Sequence, residues 1–295
     1  MIQVNRKYVL QVGDAEDGLV IEDLQVSFDI TKTSDNEKRS NSASIEIYNL
    51  SPDHLKVLDV DYPHAVFSAG YLGLNGQTPN IRRLFAGEIT ELTTRRSGAD
   101  RITRILMGDG YVELNHTVLS KLVGPGRTVE DALEDIRKAI PNVSRGVYNG
   151  TNVRSSLIYG YPLQGTPRDM LNEISRKYQL EWQLNDGELY VHDKEVANDD
   201  NFDGAYVISS NSGLIENAYR VSGEKRRSER DSKKKQAVQW RQLLNPDLIP
   251  GSIVKLEDTF IQGWYKIEEL RHSGGWRDSG WYTECKATAI EKVVR

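Results

Sequence analysis

The chain has 295 residues, enough for about two domains or three small ones. Hydrophobic residues make up 38% of it, with 14 Tyr and 5 Trp as bulky core material, which excludes wholesale disorder. A net charge of -5 argues against a dedicated duplex-DNA binder, and a single cysteine excludes an internal disulfide framework or a Cys-based zinc site. Apolar runs such as Ala205-Tyr206-Val207-Ile208 fall far short of the ~20 residues of a membrane helix, and Met1–Lys7 lacks the apolar stretch of a secretory signal.

The first hundred residues read as β-structure. Gln25–Ile30 and Ser44–Tyr48 alternate apolar and polar residues with period two, as half-buried strands do. Thr31–Ser42 between them has no apolar residue and predicts a long solvated loop. Leu50-Ser51-Pro52 opens a short helix, with Ser51 as N-cap and Pro52 at its first position. Ala65–Tyr71, Arg83–Arg95 and Arg101–Met107 follow as strands, the last two forming a hairpin with a long tip at 95–100.

The composition changes near residue 112. Val129, Leu133, Ile136 and Ile140 recur at helical spacing behind Thr128, and Pro141 ends that helix. A second helix starts at Thr166-Pro167 with Met170, Leu171, Ile174 and Tyr178 on its apolar face. A hairpin follows, 180–184 and 189–192, around a turn at Asp186-Gly187. Residues 193–204 are acidic and turn-forming and predict a linker. The remainder returns to β at 253–256, 264–272 and 281–290, with a second long tip at 273–280. Phe85-Ala86-Gly87-Glu88-Ile89 and Ile261-Gln262-Gly263-Trp264-Tyr265 share a layout, a faint internal repeat about a domain long. The fold expected is mainly β with a central α+β domain, divided as 1–112, 113–204 and 205–295.

Few residues point to chemistry. Cys285 alternates with apolar neighbours on one strand face and reads as core, not nucleophile. No nucleophile elbow, Walker loop or zinc-protease motif occurs. His54, His64, His116, His192 and His272 are scattered and read as surface or strand-end residues. Asp199-x-Asn201-x-Asp203-Gly204 matches half of a calcium loop, but Ser210 stands where a bidentate Glu is required, so an Asx-rich turn is expected. Seven basic side chains lie in 225–235 without an aromatic among them; a solvated loop is favoured over a phosphate-contacting arm.

One ordered set of motifs spans nearly the whole chain. It runs Asn41-x-Ala43-x-Ile45-x-Ile47-Tyr48-Asn49-Leu50-Ser51, then Ala69-Gly70-Tyr71, Leu84-Phe85-x-Gly87-x-Ile89 and Gly108-Asp109-Gly110. It continues through Pro125-Gly126-x-Thr128-Val129, Gly165-Thr166-Pro167 and Leu180-Glu181-Trp182 to Leu243-Leu244-Asn245-Pro246-x-Leu248-x-Pro250-Gly251 and Gly263-x-Tyr265-x-Ile267. This series resembles the baseplate central hub proteins of contractile-tailed phages. The resemblance implies a structural virion protein, not an enzyme, with no cofactor. It implies two tail-tube-like β-domains flanking a small α+β insertion, and three subunits presenting six such domains as a symmetry adaptor. The implied partners are a homotrimer, the tail tube protein, the central spike and other baseplate components. DNA is expected to pass through the ring without specific binding, which the acidic balance suits, and no membrane is involved. The implied location is the virion tail baseplate, assembled in the host bacterial cytoplasm. The chain is short for this family, so a further domain of larger members is expected to be absent.

Partner contacts are expected from loops and tips: Thr31, Lys32, Asp35, Glu37, Lys38 and Arg39; Arg95 and Arg96; Trp276 and Arg277. Trp264, Trp276 and Trp281 include candidate interface anchors, and Trp264 and Trp281 read alternatively as core residues on paired strands. The competing readings are a tail-associated carbohydrate-binding β module and a cell-wall hydrolase. The first predicts an exposed aromatic platform and the second a carboxylate pair.

Overall fold

A computed structural model describes residues 3–13, 18–34, 40–58, 64–74, 78–109, 114–115, 117–141, 143–194, 206–221, 237–278 and 280–290. The first part is β1 (Arg6–Val12), β2 (Leu19–Ile21), β3 (Val26–Thr33) and β4 (Ser42–Tyr48), a short helix α1 (Pro52–Leu58), then β5 (His64–Tyr71), β6 (Asn80–Ser97) and β7 (Asp100–Gly108). The middle holds β8 (Leu119–Val123), β9 (Arg127–Thr128), α2 (Val129–Ala139), β10 (Ser144–Asn149), β11 (Ser156–Leu157), β12 (Tyr161–Gly165), α3 (Pro167–Tyr178), β13 (Leu180–Asn185) and β14 (Glu188–Asp193). The last part is β15 (Tyr206–Ser209), β16 (Tyr219–Val221), β17 (Ala237–Leu243), β18 (Ile253–Glu257), β19 (Gln262–Gly275) and β20 (Trp281–Ala289). The chain is mainly β, as expected.

Local chemistry explains the boundaries. Val26, Phe28 and Ile30 point inward from β3 and the intervening residues outward, the period-two pleat. Ser51 Oγ accepts from His54 N at the start of α1. Thr128 and Asp131 form a reciprocal capping box on α2, and Thr166 with Pro167 opens α3. Three expectations needed correction. The tip of the last hairpin is shorter than 273–280, because β19 runs on to Gly275 and Gly274 pairs with Trp281. The tip of the first hairpin is a two-residue turn at Gly98-Ala99, not a long loop, because β6 and β7 pair out to Ser97 and Asp100. Thr31–Ser42 is not wholly loop: Thr31 to Thr33 complete β3 and Ser42 starts β4.

The strands of the first and last parts form one 13-stranded sheet, in the order β16-β17-β20-β19-β3-β4-β7-β6-β5-β1-β2, with β18 and β15 beside β19. It contains the same five-strand unit twice. In chain order β3, β4, β5, β6 and β7 make the path β3-β4-β7-β6-β5; β16, β17, β18, β19 and β20 make β16-β17-β20-β19-β18. Even the irregularity repeats: β6 breaks register against β7 between Ile89 and Glu91, and β19 against β20 between Ile267 and Glu269. Aligned on these bulges, Gly87 matches Tyr265, so the repeat seen in the sequence lay on the right strands but two residues out of register. A second trace of it follows β4 and β17: Leu50-Ser51-Pro52-Asp53 and Leu244-Asn245-Pro246-Asp247, with both leucines buried in the first core.

Three apolar cores result. One lies under β1–β7 and also takes in Leu244 and Trp281. One fills the middle part, where α2 and α3 pack beside the sheet β10-β14-β13. The third lies under β15–β20.

Candidate assembly site

The two β units meet edge to edge. The far half of β19, Glu269–Gly275, pairs antiparallel with Thr33–Ser27 of β3. Leu270 and His272 on β19, and Phe28, Ile30 and Lys32 on β3, are buried in this junction. Its exposed face carries a bidentate pair between Arg271 and Asp29. Backbone bonds from Ser34 N to Glu268 O and from Trp276 N to Val26 O close its two ends, at 2.8 Å each.

The hairpin β13–β14 locks across this junction by two buried polar clusters. At its turn, Asp186 adopts φ 53° and receives Lys32 Nζ at 3.1 and 3.0 Å and the Ala86 amide at 3.1 Å. Asp109 accepts from the amides of Asp186 and Gly187 at 2.8 and 3.3 Å. Burial, then the neighbouring Asp186 charge, push the Asp109 carboxyl up to about 6. Asn41 donates to Leu184 O at 2.6 Å and accepts from Thr33 N at 3.0 Å, stitching the β3–β4 connection to the hairpin. On the second unit, Lys266 Nζ lies 2.9 Å from His192 Nε2 and 3.4 Å from Glu181 Oε2, and His192 Nε2 lies 3.0 Å from that oxygen. Burial works against the charge on Glu181, but the His192 hydrogen bond and the Lys266 charge hold its carboxyl below the usual range. Both clusters pair cation with anion at short range inside the protein, so they fix how the middle part sits on the sheet.

The expected contact residues separate into groups. Lys32 is 2% exposed and spent on Asp186, and Thr31 lies in the β3–β4–β19 pairing, so neither is a loop residue. Asp35, Glu37, Lys38 and Arg39 lie outside the described residues, as do His116, 199–203 and 225–235. Arg95 and Arg96 are exposed near the end of β6, with Arg95 3.6 Å from Glu46. Trp276 packs edge-on to Tyr8, 5.4 Å between centroids, and donates to Arg6 O, while Arg277 covers its ring at 4.2 Å. Trp281 is wholly buried against Phe28, so the anchor reading fails for it and the core reading holds. His192 and His272 are buried, not surface residues, and burial holds His272 down to about 3. Cys285 is buried and its thiol is pushed up by that burial. Among the described residues no group of His, Cys, Asp and Glu could hold a metal ion. The Asp186–Lys32–Asp109 cluster was missed in the sequence; its only signal was a lone lysine following the inward positions 26, 28 and 30 of a strand.

The surfaces left open are strand edges. From Glu91 to Ser97, β6 has β7 on one side and no strand on the other among the described residues; β16 has β17 and likewise no second neighbour. Open edges invite another chain.

No protein-family model matches this chain, and no curated protein does. Solved structures match along nearly its whole length. It is similar to a tail protein from Neisseria meningitidis MC58 at 15% identity and TM-score 0.68, over 95% of this chain and 96% of that one. It is similar to the 43 kDa tail protein of prophage MuSo2 from Shewanella oneidensis at 10% identity and TM-score 0.66, over 96% and 98%. A third match, at 10% identity and TM-score 0.63 over 91% and 74%, is the E. coli c3393 protein. It is described as a type VI secretion component structurally similar to the T4 bacteriophage tail proteins gp27 and gp5. The fold is that of phage tail proteins.

Proposed function

We propose that this chain is a baseplate hub: a structural protein that forms a three-membered ring joining a six-fold tail tube to a three-fold spike. The observation that carries this reading is the duplicated five-strand unit, joined edge to edge within one chain. Three copies of a chain holding two like units would present six, which adapts one symmetry to the other by arithmetic. The contact between successive chains would be heterologous, as a ring requires. The units correspond to residues 1–112 and 205–295, with the α+β part 113–204 clamped over their junction. The whole-length likeness to tail proteins supports the location, a phage-type tail. The role is mechanical, and the net negative charge suits a conduit through which DNA slides. The tube, the spike and other baseplate proteins are its partners, met on the two faces of the ring.

Sedimentation of the purified chain over a wide concentration range tests this. The expected result is a monomer–trimer equilibrium, or a trimer throughout. A dimer as the end state would overturn the reading, since a two-fold pair does not match either symmetry.

A further inference from the structure

We propose that successive copies join by strand addition between the open edge of β6 and the open edge of β16, in a register set by the junction already present inside each chain. The inference rests on the hub reading and gives its ring contact at the level of paired residues.

The internal junction supplies the template. There, the last strand segment before a hairpin turn, on β19, pairs with the first strand of the other unit, β3. The repeat gives each its counterpart. The bulges align Glu269–Gly275 of β19 with Glu91–Ser97 of β6. Ala43 and Val238 both face the residue on the bulge's far side, Met107 and Ala287; their own partners, Ile30 and Arg220, are therefore equivalent. Transposing the internal pairs Thr31–Arg271, Ile30–His272 and Asp29–Ser273 gives Val221–Thr93, Arg220–Thr94 and Tyr219–Arg95 between two copies.

Three observations favour that register. Two template positions are covered where their counterparts are not: His272 and Ile30 are buried, whereas Thr94 on β6 and Arg220 on β16 are exposed. Tyr219 is 53% exposed on the open edge of β16. The pairs themselves are compatible: a β-branched pair at Thr93–Val221, a cation facing an aromatic ring at Arg95–Tyr219, and no like charges opposite one another. Each chain would thus offer one edge and accept the other, so the contact repeats head to tail.

Hydrogen bonding at the template fixes which pairs lie closest. Ser34–Glu268 and Trp276–Val26 are bonded pairs, so by alternation Ile30–His272 is bonded and Thr31–Arg271 is not. Thr93–Val221 therefore falls at a non-bonded pair, where Cα atoms approach to about 4.5 Å and a disulfide fits.

The test mixes a Thr93→Cys chain with a Val221→Cys chain under mild oxidation. Cys285 stays in place because it is buried. The expected result is a two-chain adduct, reduced at least ~10-fold when Thr94→Cys, whose side chain points to the other face, replaces Thr93→Cys. Circular dichroism of each variant checks that it folds. If the chains form trimers but both mixtures cross-link equally or not at all, the register is overturned and the hub reading stands. If the chains remain monomeric at every concentration, both are overturned.

Discussion

Lys32 and Arg271 are both basic residues paired with an aspartate next to the same strand junction, and they should behave very differently. Lys32 and Asp186 are almost wholly removed from water, so Lys32→Ala leaves a buried carboxylate beside Asp109 with only the half-exposed Arg83, 3.6 Å away, as its cation, and costs up to about 3–5 kcal/mol. Arg271 and Asp29 are about half exposed, so their coupling in a double-mutant cycle is about 1 kcal/mol or less. Urea denaturation of the variants decides it: equal losses would mean that the cluster at Asp186 does not fix the hairpin. His272 sets a pH dependence of definite sign. Its folded pKa is about 3 against 6.5 in the unfolded chain, so below about pH 6.5 only the unfolded chain takes up the proton. Stability then falls by about 1.4 kcal/mol per pH unit from this group. Asp109 acts in the opposite sense: its folded pKa of about 6 exceeds 3.8, so the folded chain takes up a proton first as pH drops through that window. The two partly offset between about pH 6 and 4, and the histidine loss continues alone below. His272→Gln should therefore narrow its stability gap to the parent between pH 7 and 4; a constant gap would contradict the assignment.

Elements show what period and spacing can and cannot reveal. Helices α2 and α3 were legible to within a residue because their caps, Thr128 and Thr166, are local chemistry, and so was the turn at Asp186-Gly187. Strand existence was legible for β3 to β7, and β6 was legible as far as Arg95; its last two residues, Arg96 and Ser97, read as turn, since an exposed strand end has no buried face to write an alternation. The parallel pairing of β10 with β14 was likewise hidden, because the partners are far apart in the chain. Gly87 was noticed as part of a repeat, and its reason is close backbone approach: an added Cβ would lie 2.2 Å from Gly108 O on β7. Backbone cannot rotate aside as a side chain can, so Gly87→Ala should cost about 1–3 kcal/mol or more in a denaturation curve. A change within about 0.5 kcal/mol would mean that β6 and β7 separate freely there.

For the whole molecule, the mainly β class was readable from composition and alternation, and the duplication was visible only faintly. At residue level the two units have drifted: Ile30 corresponds to Arg220, buried in one and exposed in the other. That divergence is what different neighbours demand, one edge being met inside the chain and the other being open. The same difference hid the polar clamp, because Lys32, Asp186 and Asp109 come from three separated segments and only the fold brings them together. The most direct measurement is electron microscopy of the purified chain with symmetry left free. The account predicts a closed three-fold ring with a central hole and six similar lobes, alternating between joins within a chain and joins between chains. A compact monomer, or a two-fold particle with no channel, would contradict it.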